Sequence, residues 1–119
     1  FIKGFSTFFV KMLNHGVFHK DLKGCNVFVT EGNKFFLLDI EDIEFKKVGQ
    51  KDVVFMLAKL NNTIPKKITL KDRTRFFVSL HMFSKRERKE IFKKVVERAK
   101  IEEIVYEGKD GLRRESWEN

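Results

Sequence analysis

The segment HKDLKGCN at residues 19–26 places an imidazole, two ammonium groups, a carboxylate and an amide within eight positions. An amphipathic run precedes it and ends near Gly16, a residue type that often terminates a helix in the left-handed conformation. The segment is therefore predicted to be a loop that follows a helix. Its length places the side chains of Asp21 and Asn26 side by side.

Two short apolar runs after this loop predict a β-hairpin. VFVT at residues 27–30 and FFLL at residues 35–38 flank EGNK at residues 31–34, where Gly and Asn tolerate the positive φ angles of tight turns. The second run is almost wholly apolar, which is typical of a strand covered on both faces. Because a hairpin returns the chain to its starting point, Asp39 is expected to approach the preceding loop.

Helical spacing of apolar residues predicts one helix in residues 1–14 and another in residues 51–61. Two asparagines and Pro65 end the second of these helices. Their apolar faces are expected to be buried and comprise Phe1, Phe5, Phe8, Phe9 and Met12 in the first helix, and Val53, Met56, Leu57 and Leu60 in the second.

Two capping boxes predict where two further helices begin. Thr69 with Asp72, and Ser84 with Glu87, have the spacing at which paired side chains satisfy N-terminal backbone N–H groups. The polar residues 107–119 predict an irregular tail. The buried faces are expected to carry Phe76, Phe77, Leu80 and Phe83 in the third helix, and Phe92, Val95, Val96 and Ala99 in the fourth, whose other faces are basic through Lys85, Arg86, Arg88, Lys89, Lys93 and Lys94.

This order of elements predicts a mainly α fold with a small β-hairpin. Strands and helices do not alternate, so a doubly wound parallel sheet is not expected. Residues 1–119 suffice for one domain, and no Ser/Gly/Pro-rich linker divides them. The 14 Phe residues are expected to fill the core and match no RNA-binding signature, so a nucleic-acid partner is not predicted.

Composition narrows the classes of partner and site. The net charge of +8 favours anionic partners such as nucleotides, nucleic acid, phosphorylated glycans or a membrane surface, and does not by itself choose among them. Cys25 is the single cysteine, which excludes an internal disulfide and a cysteine-based metal site, and it is expected to be a packing residue.

No apolar run approaches the roughly 20 residues needed to cross a bilayer. The chain begins with Phe1 rather than Met, so it is expected to start inside a longer protein.

Residues 19–26 together with Asp39 resemble the catalytic loop and metal-binding segment of kinases. Phosphoryl transfer needs one carboxylate facing the attacking hydroxyl group, while a second carboxylate and an amide oxygen hold Mg²⁺ on the phosphates. The resemblance implies ATP and Mg²⁺ as cofactors and the fold of a protein-kinase-like C-terminal lobe. The Gly-rich loop, the phosphate-binding Lys and its Glu partner, which belong to the N-terminal lobe of kinases, are missing.

A more specific resemblance is to the lipopolysaccharide core kinases, the Kdo/heptose kinase family. It rests on HGVFHKDLKGCN at residues 15–26, LLDIEDIEF at residues 37–45 and DRTRF at residues 72–76, and it extends over about residues 5–110. It implies ATP-dependent and Mg²⁺-dependent phosphorylation of a sugar hydroxyl in the inner core of lipopolysaccharide. It also implies a cytoplasmic location in peripheral contact with the inner membrane, where this glycolipid is the substrate.

The resemblance extends to individual residues. Asp21 matches the catalytic carboxylate, and Lys23 matches a lysine that contacts the transferred phosphate. Asn26 and Asp39 match the two metal ligands that hold the nucleotide. The two remaining matches are supporting residues, His19 as the structural histidine of the loop and Asp52 as an anchor of the loop backbone.

Several positions depart from the kinase pattern or leave it open. Lys20 stands where kinases usually have Arg, so the planar fork of a guanidinium is lost. Ile40 and Glu41 replace the Phe-Gly that follows the metal-binding Asp in protein kinases, a change that the lipopolysaccharide kinases share. The acidic residues Glu41, Asp42 and Glu44 either contact metal or substrate or belong to a solvated loop, and the solvated loop is the simpler interpretation.

Two alternatives stand beside the lipopolysaccharide kinase. One is a kinase-like enzyme that acts on a protein or a small molecule, although the sequence has neither Asp-Phe-Gly nor Ala-Pro-Glu. The other is a truncated, non-catalytic binding module, which the missing N-terminal lobe would explain. The basic surface of the fourth helix is either a solvated face or a binding surface for an acidic glycolipid or anionic lipid headgroups.

Overall fold

The computed structural model describes residues 2–32 and 34–116. This part of the chain contains four helices and three two-stranded antiparallel sheets. In chain order the elements are α1 (Ile2–Asn14), β1 (Val17–His19), β2 (Val27–Val29), β3 (Phe35–Leu37), β4 (Ile43–Phe45), α2 (Gln50–Asn61), α3 (Leu70–Val78), α4 (Lys85–Ile101), β5 (Ile104–Gly108) and β6 (Gly111–Glu115). The radius of gyration is 13.9 Å, close to the ~13.5 Å expected of a globule of this length.

The locally encoded elements form as predicted. Helices α1 and α2 begin within one residue of the predicted starts and end where predicted, and Phe1 lies outside the described residues. Strands β2 and β3 form the predicted hairpin, with Phe28 opposite Phe36; Asn33 in its turn also lies outside the described residues. Thr69 and Ser84 cap α3 and α4, because each hydroxyl oxygen accepts a hydrogen bond from a backbone N–H three residues on.

Two expectations about apolar residues are wrong. Strand β3 is not covered on both faces, since the side chain of Phe36 is 50% exposed. Helix α3 ends at Val78 rather than continuing to Phe83, and the chain turns through residues 79–83. Leu80 lies in this turn and is fully buried. The prediction that Leu80 is buried is confirmed, whereas the prediction that it belongs to the helix is wrong.

The buried face of α4 also differs from the predicted one. Ile91, which was not part of the predicted stripe, is 1% exposed and belongs to the core. Phe92 is 37% exposed, and Val95, Val96 and Ala99 are half-buried. This face of α4 therefore borders open space instead of packing fully against its neighbours.

The irregular tail predicted for residues 107–119 is wrong over residues 107–115. Strands β5 and β6 form a hairpin in which Ile104 lies opposite Glu115. Ile104 is fully buried, and the backbone N–H of Val105 donates a hydrogen bond to the carbonyl oxygen of Asn62 at 2.8 Å. This hairpin escapes prediction because one of its strands, β6, carries mostly charged side chains. Residues 117–119 lie outside the described residues.

A second pair of strands, which the sequence pattern did not predict, joins the two sides of the candidate site. β1 leads into the loop at residues 19–26 and pairs with β4, so that His19 lies opposite Ile43. Gly16 adopts a φ of 68°, and a Cβ atom at this position would lie 2.6 Å from the carbonyl oxygen of Lys46. Glycine is therefore required where the chain enters this pair of strands.

The core lies between the four helices and beneath the loop at residues 19–26. Helix α2 packs along α4, and α1 packs against α3. Leu22, inside the loop, is 1% exposed and is one of the core residues, so hydrophobic burial holds the loop on the helices. The core side chains are Phe9, Met12, Leu13, Leu22, Val53, Val54, Met56, Leu57, Phe77, Leu80 and Ile91. No helix among the described residues has both the length and the apolar character to cross a membrane.

Candidate active site

The loop at residues 19–26 is built on one buried histidine. His19 is fully buried, and its Nε2 atom lies 2.8 Å from the carbonyl oxygen of Leu38. Its Nδ1 atom accepts a hydrogen bond from the backbone N–H of Asp21 at 3.1 Å. Because a carbonyl can only accept and a backbone N–H can only donate, the neutral ring with its hydrogen on Nε2 satisfies both partners.

Asn26 is fixed at the other end of the loop. Its side-chain Nδ2 donates a hydrogen bond to the backbone carbonyl of Asp21 at 2.8 Å, and the residue is 5% exposed. Its backbone carbonyl accepts a hydrogen bond from the N–H of Leu38 at 2.8 Å. Since Nδ2 is committed to the loop, the side-chain oxygen is the atom left to coordinate a cation.

Asp39 follows directly in an unusual backbone conformation. Its φ of 54° and ψ of 58° lie in the left-handed region, the one such case for a non-glycine residue in the part of the chain that the structure describes. A single 3₁₀ turn, Ile40–Asp42, follows and is closed by a hydrogen bond from the N–H of Asp42 to the carbonyl of Asp39 at 3.0 Å. The turn therefore places the carboxylate of Asp42 beside that of Asp39.

Three carboxylates converge at this point. One oxygen from each of Asp21, Asp39 and Asp42 lies within 4.8 Å of the other two. Asp42 is also tied to the loop, because its backbone carbonyl accepts a hydrogen bond from the N–H of Lys20 at 2.8 Å. The sequence predicted that Asp21 and Asp39 would meet, whereas it favoured a solvated loop for Asp42.

This arrangement fits Mg²⁺ chemically. Mg²⁺ prefers oxygen ligands at about 2.0–2.1 Å, so ligands on opposite sides of the ion lie about 4.2 Å apart. The three carboxylates are near that spacing, since one oxygen of each lies within 4.8 Å of the other two. Asp39 and Asp42 could hold the ion, with the side-chain oxygen of Asn26 as a further ligand.

Two lysines surround the carboxylate of Asp21. Lys23 Nζ lies 3.2 Å from Asp21 Oδ2, and Lys59 Nζ lies 3.5 Å from Asp21 Oδ1. The hydrogen bond to Asp21, together with its negative charge, raises the pKa of Lys23 above its usual range. Lys59 comes from α2, far from the loop in sequence, and no motif marked it as a site residue. Two ammonium groups therefore flank the carboxylate of Asp21.

Thr63 anchors the middle of the loop. The backbone N–H of Gly24 donates a hydrogen bond to Thr63 Oγ1 at 2.9 Å, and this hydroxyl donates in turn to the carbonyl of Lys59 at 2.8 Å. A Cβ atom on Gly24 would lie 2.7 Å from Ile64 Cγ2, so the close approach requires glycine.

Asp52 does not anchor the loop, contrary to the prediction. Its Oδ2 atom accepts a hydrogen bond from the backbone N–H of Gly49 at 2.9 Å, and its Oδ1 atom lies 3.3 Å from Lys46 Nζ. Over the part of the chain that the structure describes, Asp52 therefore caps the N-terminus of α2. Thr63 takes the anchoring role, which sequence spacing alone could not assign.

Lys20, which stands where the kinases that this loop resembles usually have arginine, pairs with a residue of the neighbouring strand β4. Its Nζ atom lies 3.7 Å from Glu44 Oε2, and both side chains are about half exposed. An exposed pair of this kind contributes little to stability. The contacts that position Asp21 therefore come from His19, Asn26 and the two lysines.

Most of the sequence-predicted site residues thus meet. One continuous hydrogen-bonded framework contains His19, Asp21, Lys23, Asn26 and Asp39, whereas Asp52 does not contact it in the described part of the chain.

No protein-family model, no curated protein and no solved structure matches this chain. The geometry of the site and its sequence motif are therefore the basis for assigning a function.

Proposed function

We propose that this chain is the catalytic part of a kinase-like phosphotransferase that moves the γ-phosphoryl group of ATP to a hydroxyl group with the help of Mg²⁺. The observation that carries the proposal is the convergence of Asp21, Asp39 and Asp42 within 4.8 Å, beside the ammonium group of Lys23. Phosphoryl transfer requires such a combination of a carboxylate for the nucleophile, oxygen ligands for the metal and positive charge for the phosphates.

In this proposal Asp21 orients the acceptor hydroxyl group and accepts its proton. Asp21 is half-buried, and its backbone is held on both sides, because its N–H donates to His19 Nδ1 and its carbonyl accepts from Asn26 Nδ2. This fixed backbone supports the geometry that in-line attack requires. Lys23, which remains protonated at neutral pH, stabilises the negative charge on the phosphoryl oxygens during transfer. Lys59 positions Asp21 from the opposite side.

Asp39 and Asp42 hold Mg²⁺ in the proposed reaction, with Asn26 as a third ligand. When bound, the Mg²⁺–ATP complex supplies the phosphoryl group and neutralises part of the phosphate charge. The left-handed backbone at Asp39 and the turn that follows it hold the two carboxylates side by side. His19 preserves the distance between these ligands and the loop through its hydrogen bond to Leu38.

The proposed fold is a protein-kinase-like C-terminal lobe. It is supported by the order of α1, the loop at residues 19–26, the hairpin of β2 and β3, and the helices that follow. The pairing of β1 with β4 adds support, since it connects the loop to the segment after Asp39.

The proposed acceptor is a sugar hydroxyl in the inner core of lipopolysaccharide, reached at the cytoplasmic face of the inner membrane. This choice rests on the sequence resemblance to the Kdo/heptose kinases. The net charge of +8 suits a phosphorylated, anionic glycolipid.

The test is a phosphate-transfer assay on the protein encoded by the complete open reading frame. We expect the protein to transfer labelled phosphate from ATP to a lipopolysaccharide inner-core acceptor in the presence of Mg²⁺, and not to a mixture of proteins. Asp21→Asn is expected to lower the rate by about 10²–10⁴-fold, whereas Asp110→Asn, an exposed carboxylate in the β5–β6 turn, leaves it unchanged.

Each other outcome has a distinct meaning. Full activity of a folded Asp21→Asn protein would overturn the assigned role of this carboxylate. Transfer to proteins or small molecules instead would replace the acceptor but keep the reaction class. Absence of transfer to all acceptors, together with Mg²⁺-dependent ATP binding in calorimetry, would identify a non-catalytic binding module.

A further inference from the structure

A large cavity opens between the helices, on the side of α2 that faces α4. Its volume is about 840 Å³, within the range of roughly 300–1,000 Å³ that is usual for small-molecule sites. Side chains from α1, β2, α2, α3 and α4 line it, among them Phe5, Val27, Leu60, Phe76 and Val95. Most of the lining is apolar, so the cavity is suited to a ligand with a substantial hydrocarbon part.

The apolar face of α4 also supports this interpretation. Phe92, Val95, Val96 and Ala99 recur at helical spacing, as residues of a packed face do, yet all four remain partly exposed and line the cavity. Leaving apolar side chains beside an open space forfeits both burial and van der Waals contact. A bound hydrocarbon chain would restore both.

The polar side chains of the cavity indicate the charge of the ligand. Asp72 is already bonded to Thr69 and Arg75, and Arg73 donates hydrogen bonds to backbone carbonyls of residues 61–68. Lys67 and Lys100 also line the cavity, and both residues are exposed, so they add two positive charges to its lining. Over the residues that the structure describes, neither of these two lysines forms an ion pair.

We propose that this cavity binds an anionic amphiphile, with the alkyl chain inside and the anionic head group between Lys67 and Lys100. The apolar lining selects the chain, and the two lysines select a carboxylate or phosphate over an uncharged or cationic head. A free fatty acid and a membrane lipid share this chemistry. The inference does not depend on the phosphotransferase reaction, since none of the residues that it uses belongs to the catalytic cluster.

The first experiment compares head groups at constant chain length by isothermal titration calorimetry. Dodecyl phosphate, dodecanoate and dodecyltrimethylammonium are titrated into the protein below their critical micelle concentrations. We expect the two anionic probes to bind with one-to-one stoichiometry and the cationic probe to bind at least about tenfold more weakly. Equal affinity for the cationic probe, or no binding by either anionic probe, would overturn the proposal.

Matched variants locate the binding. Lys67→Glu/Lys100→Glu is expected to weaken dodecyl phosphate binding by at least about tenfold. Lys85→Glu/Lys89→Glu changes the net charge equally, on exposed residues of α4 that do not line the cavity, and is expected to leave the affinity within about twofold. Equal weakening in both double variants would show general charge attraction and contradict the proposed site.

A third variant tests the chain-binding part without altering charge. Ala99→Phe fills space in the cavity and is expected to weaken both anionic probes, while thermal unfolding shows that the protein remains folded. Unchanged binding by a folded Ala99→Phe protein would contradict occupation of the cavity.

Sedimentation with phosphatidylglycerol vesicles then distinguishes a membrane lipid from a free amphiphile as the ligand. Vesicle binding that is lost in Lys67→Glu/Lys100→Glu indicates a membrane lipid, and its absence alongside dodecanoate binding indicates a free amphiphile.

Discussion

The Nε2 atom of His19 donates a hydrogen bond to the carbonyl oxygen of Leu38 at 2.8 Å, across the gap between the candidate catalytic loop and the residue that precedes Asp39. The Nδ1 atom of the same ring accepts a hydrogen bond from the backbone N–H of Asp21. One fully buried imidazole thus sets the positions of two carboxylates that belong to different segments of the chain.

His19→Phe is expected to lower the free energy of unfolding by about 2–4 kcal/mol, because the N–H of Asp21 and the carbonyl of Leu38 both lose their partner. Urea denaturation measures the loss. His81→Phe, at an exposed position, is expected to change stability by less than about 0.5 kcal/mol. Nitrogen NMR of the wild-type ring should also show the hydrogen on Nε2. Equal stability of the two variants would contradict the framework role of His19.

Asp42→Asn is expected to weaken binding of Mn²⁺, used as a paramagnetic probe in place of Mg²⁺, by at least about tenfold. The reason is the loss of one of three carboxylates whose oxygens lie within 4.8 Å of one another. Electron paramagnetic resonance gives the concentration of free Mn²⁺. Asp110→Asn removes the same charge from the exposed β5–β6 turn and serves as the control. If both variants bind Mn²⁺ as tightly as the unmodified protein, Asp42 is not a ligand.

The elements that local spacing controls were predictable from the sequence. The periods of α1 and α2, the turn between β2 and β3, and the two capping hydroxyls all depend on residues within a few positions of one another. The loop at residues 19–26 with Asp39 was predictable for a similar reason, since a hairpin necessarily returns the chain. The described ends of α1, α2, β2 and β3 lie within one residue of their predicted positions, and Thr69 and Ser84 cap α3 and α4 as predicted.

The contacts between distant segments were not predictable in this way. Thr63 anchors Gly24, and Lys59 reaches Asp21, because the end of α2 packs beside the loop. No periodicity records that packing. The same reason explains the error at Asp52. Its position at the start of α2 suggested a contact with the loop, but its carboxylate instead accepts a hydrogen bond from the backbone N–H of Gly49 at the N-terminus of the helix. The hydrogen bond that joins the β5–β6 hairpin to Asn62 depends on tertiary structure in the same way, and no local pattern predicts it.

The capping box of α4 makes a prediction about pH. The backbone N–H of Ser84 donates a hydrogen bond to Glu87 Oε1 at 3.0 Å, and this bond lowers the pKa of Glu87 below its ordinary value of 4.5. A carboxyl pKa that is lower in the folded state stabilises the fold above the unfolded-state pKa. This contribution is lost as the pH falls through the folded-state value. Carbon NMR titration is therefore expected to give Glu87 a pKa below 4.5.

Ser84→Pro provides the control for this titration. Ser84 has a φ of −65°, which proline adopts without strain, and the substitution removes both the backbone N–H and the hydroxyl group. The pKa of Glu87 is expected to return towards 4.5 in this variant. An unchanged pKa would show that the capping bond is not its cause.

Arg73 connects α3 to the segment that carries Thr63, and its replacement tests whether that segment supports the loop at residues 19–26. Its guanidinium group donates hydrogen bonds to the backbone carbonyls of four residues, Asn61, Ile64, Pro65 and Ile68. Burial lowers the pKa of Arg73 to about 10, so the group stays charged at neutral pH and its bonds are charge-assisted. A lysine has no planar fork and cannot reproduce these contacts.

Arg73→Lys is expected to lower the free energy of unfolding by about 2–4 kcal/mol. Arg75→Lys, on the same helix, changes an exposed ion pair with Asp72 and is expected to cost less than about 0.5 kcal/mol. Because Thr63 accepts the hydrogen bond of the Gly24 N–H, hydrogen exchange of Gly24 should accelerate in Arg73→Lys and not in Arg75→Lys. Equal exchange at Gly24 in both variants would mean that the loop at residues 19–26 keeps its shape without support from the segment at residues 61–68.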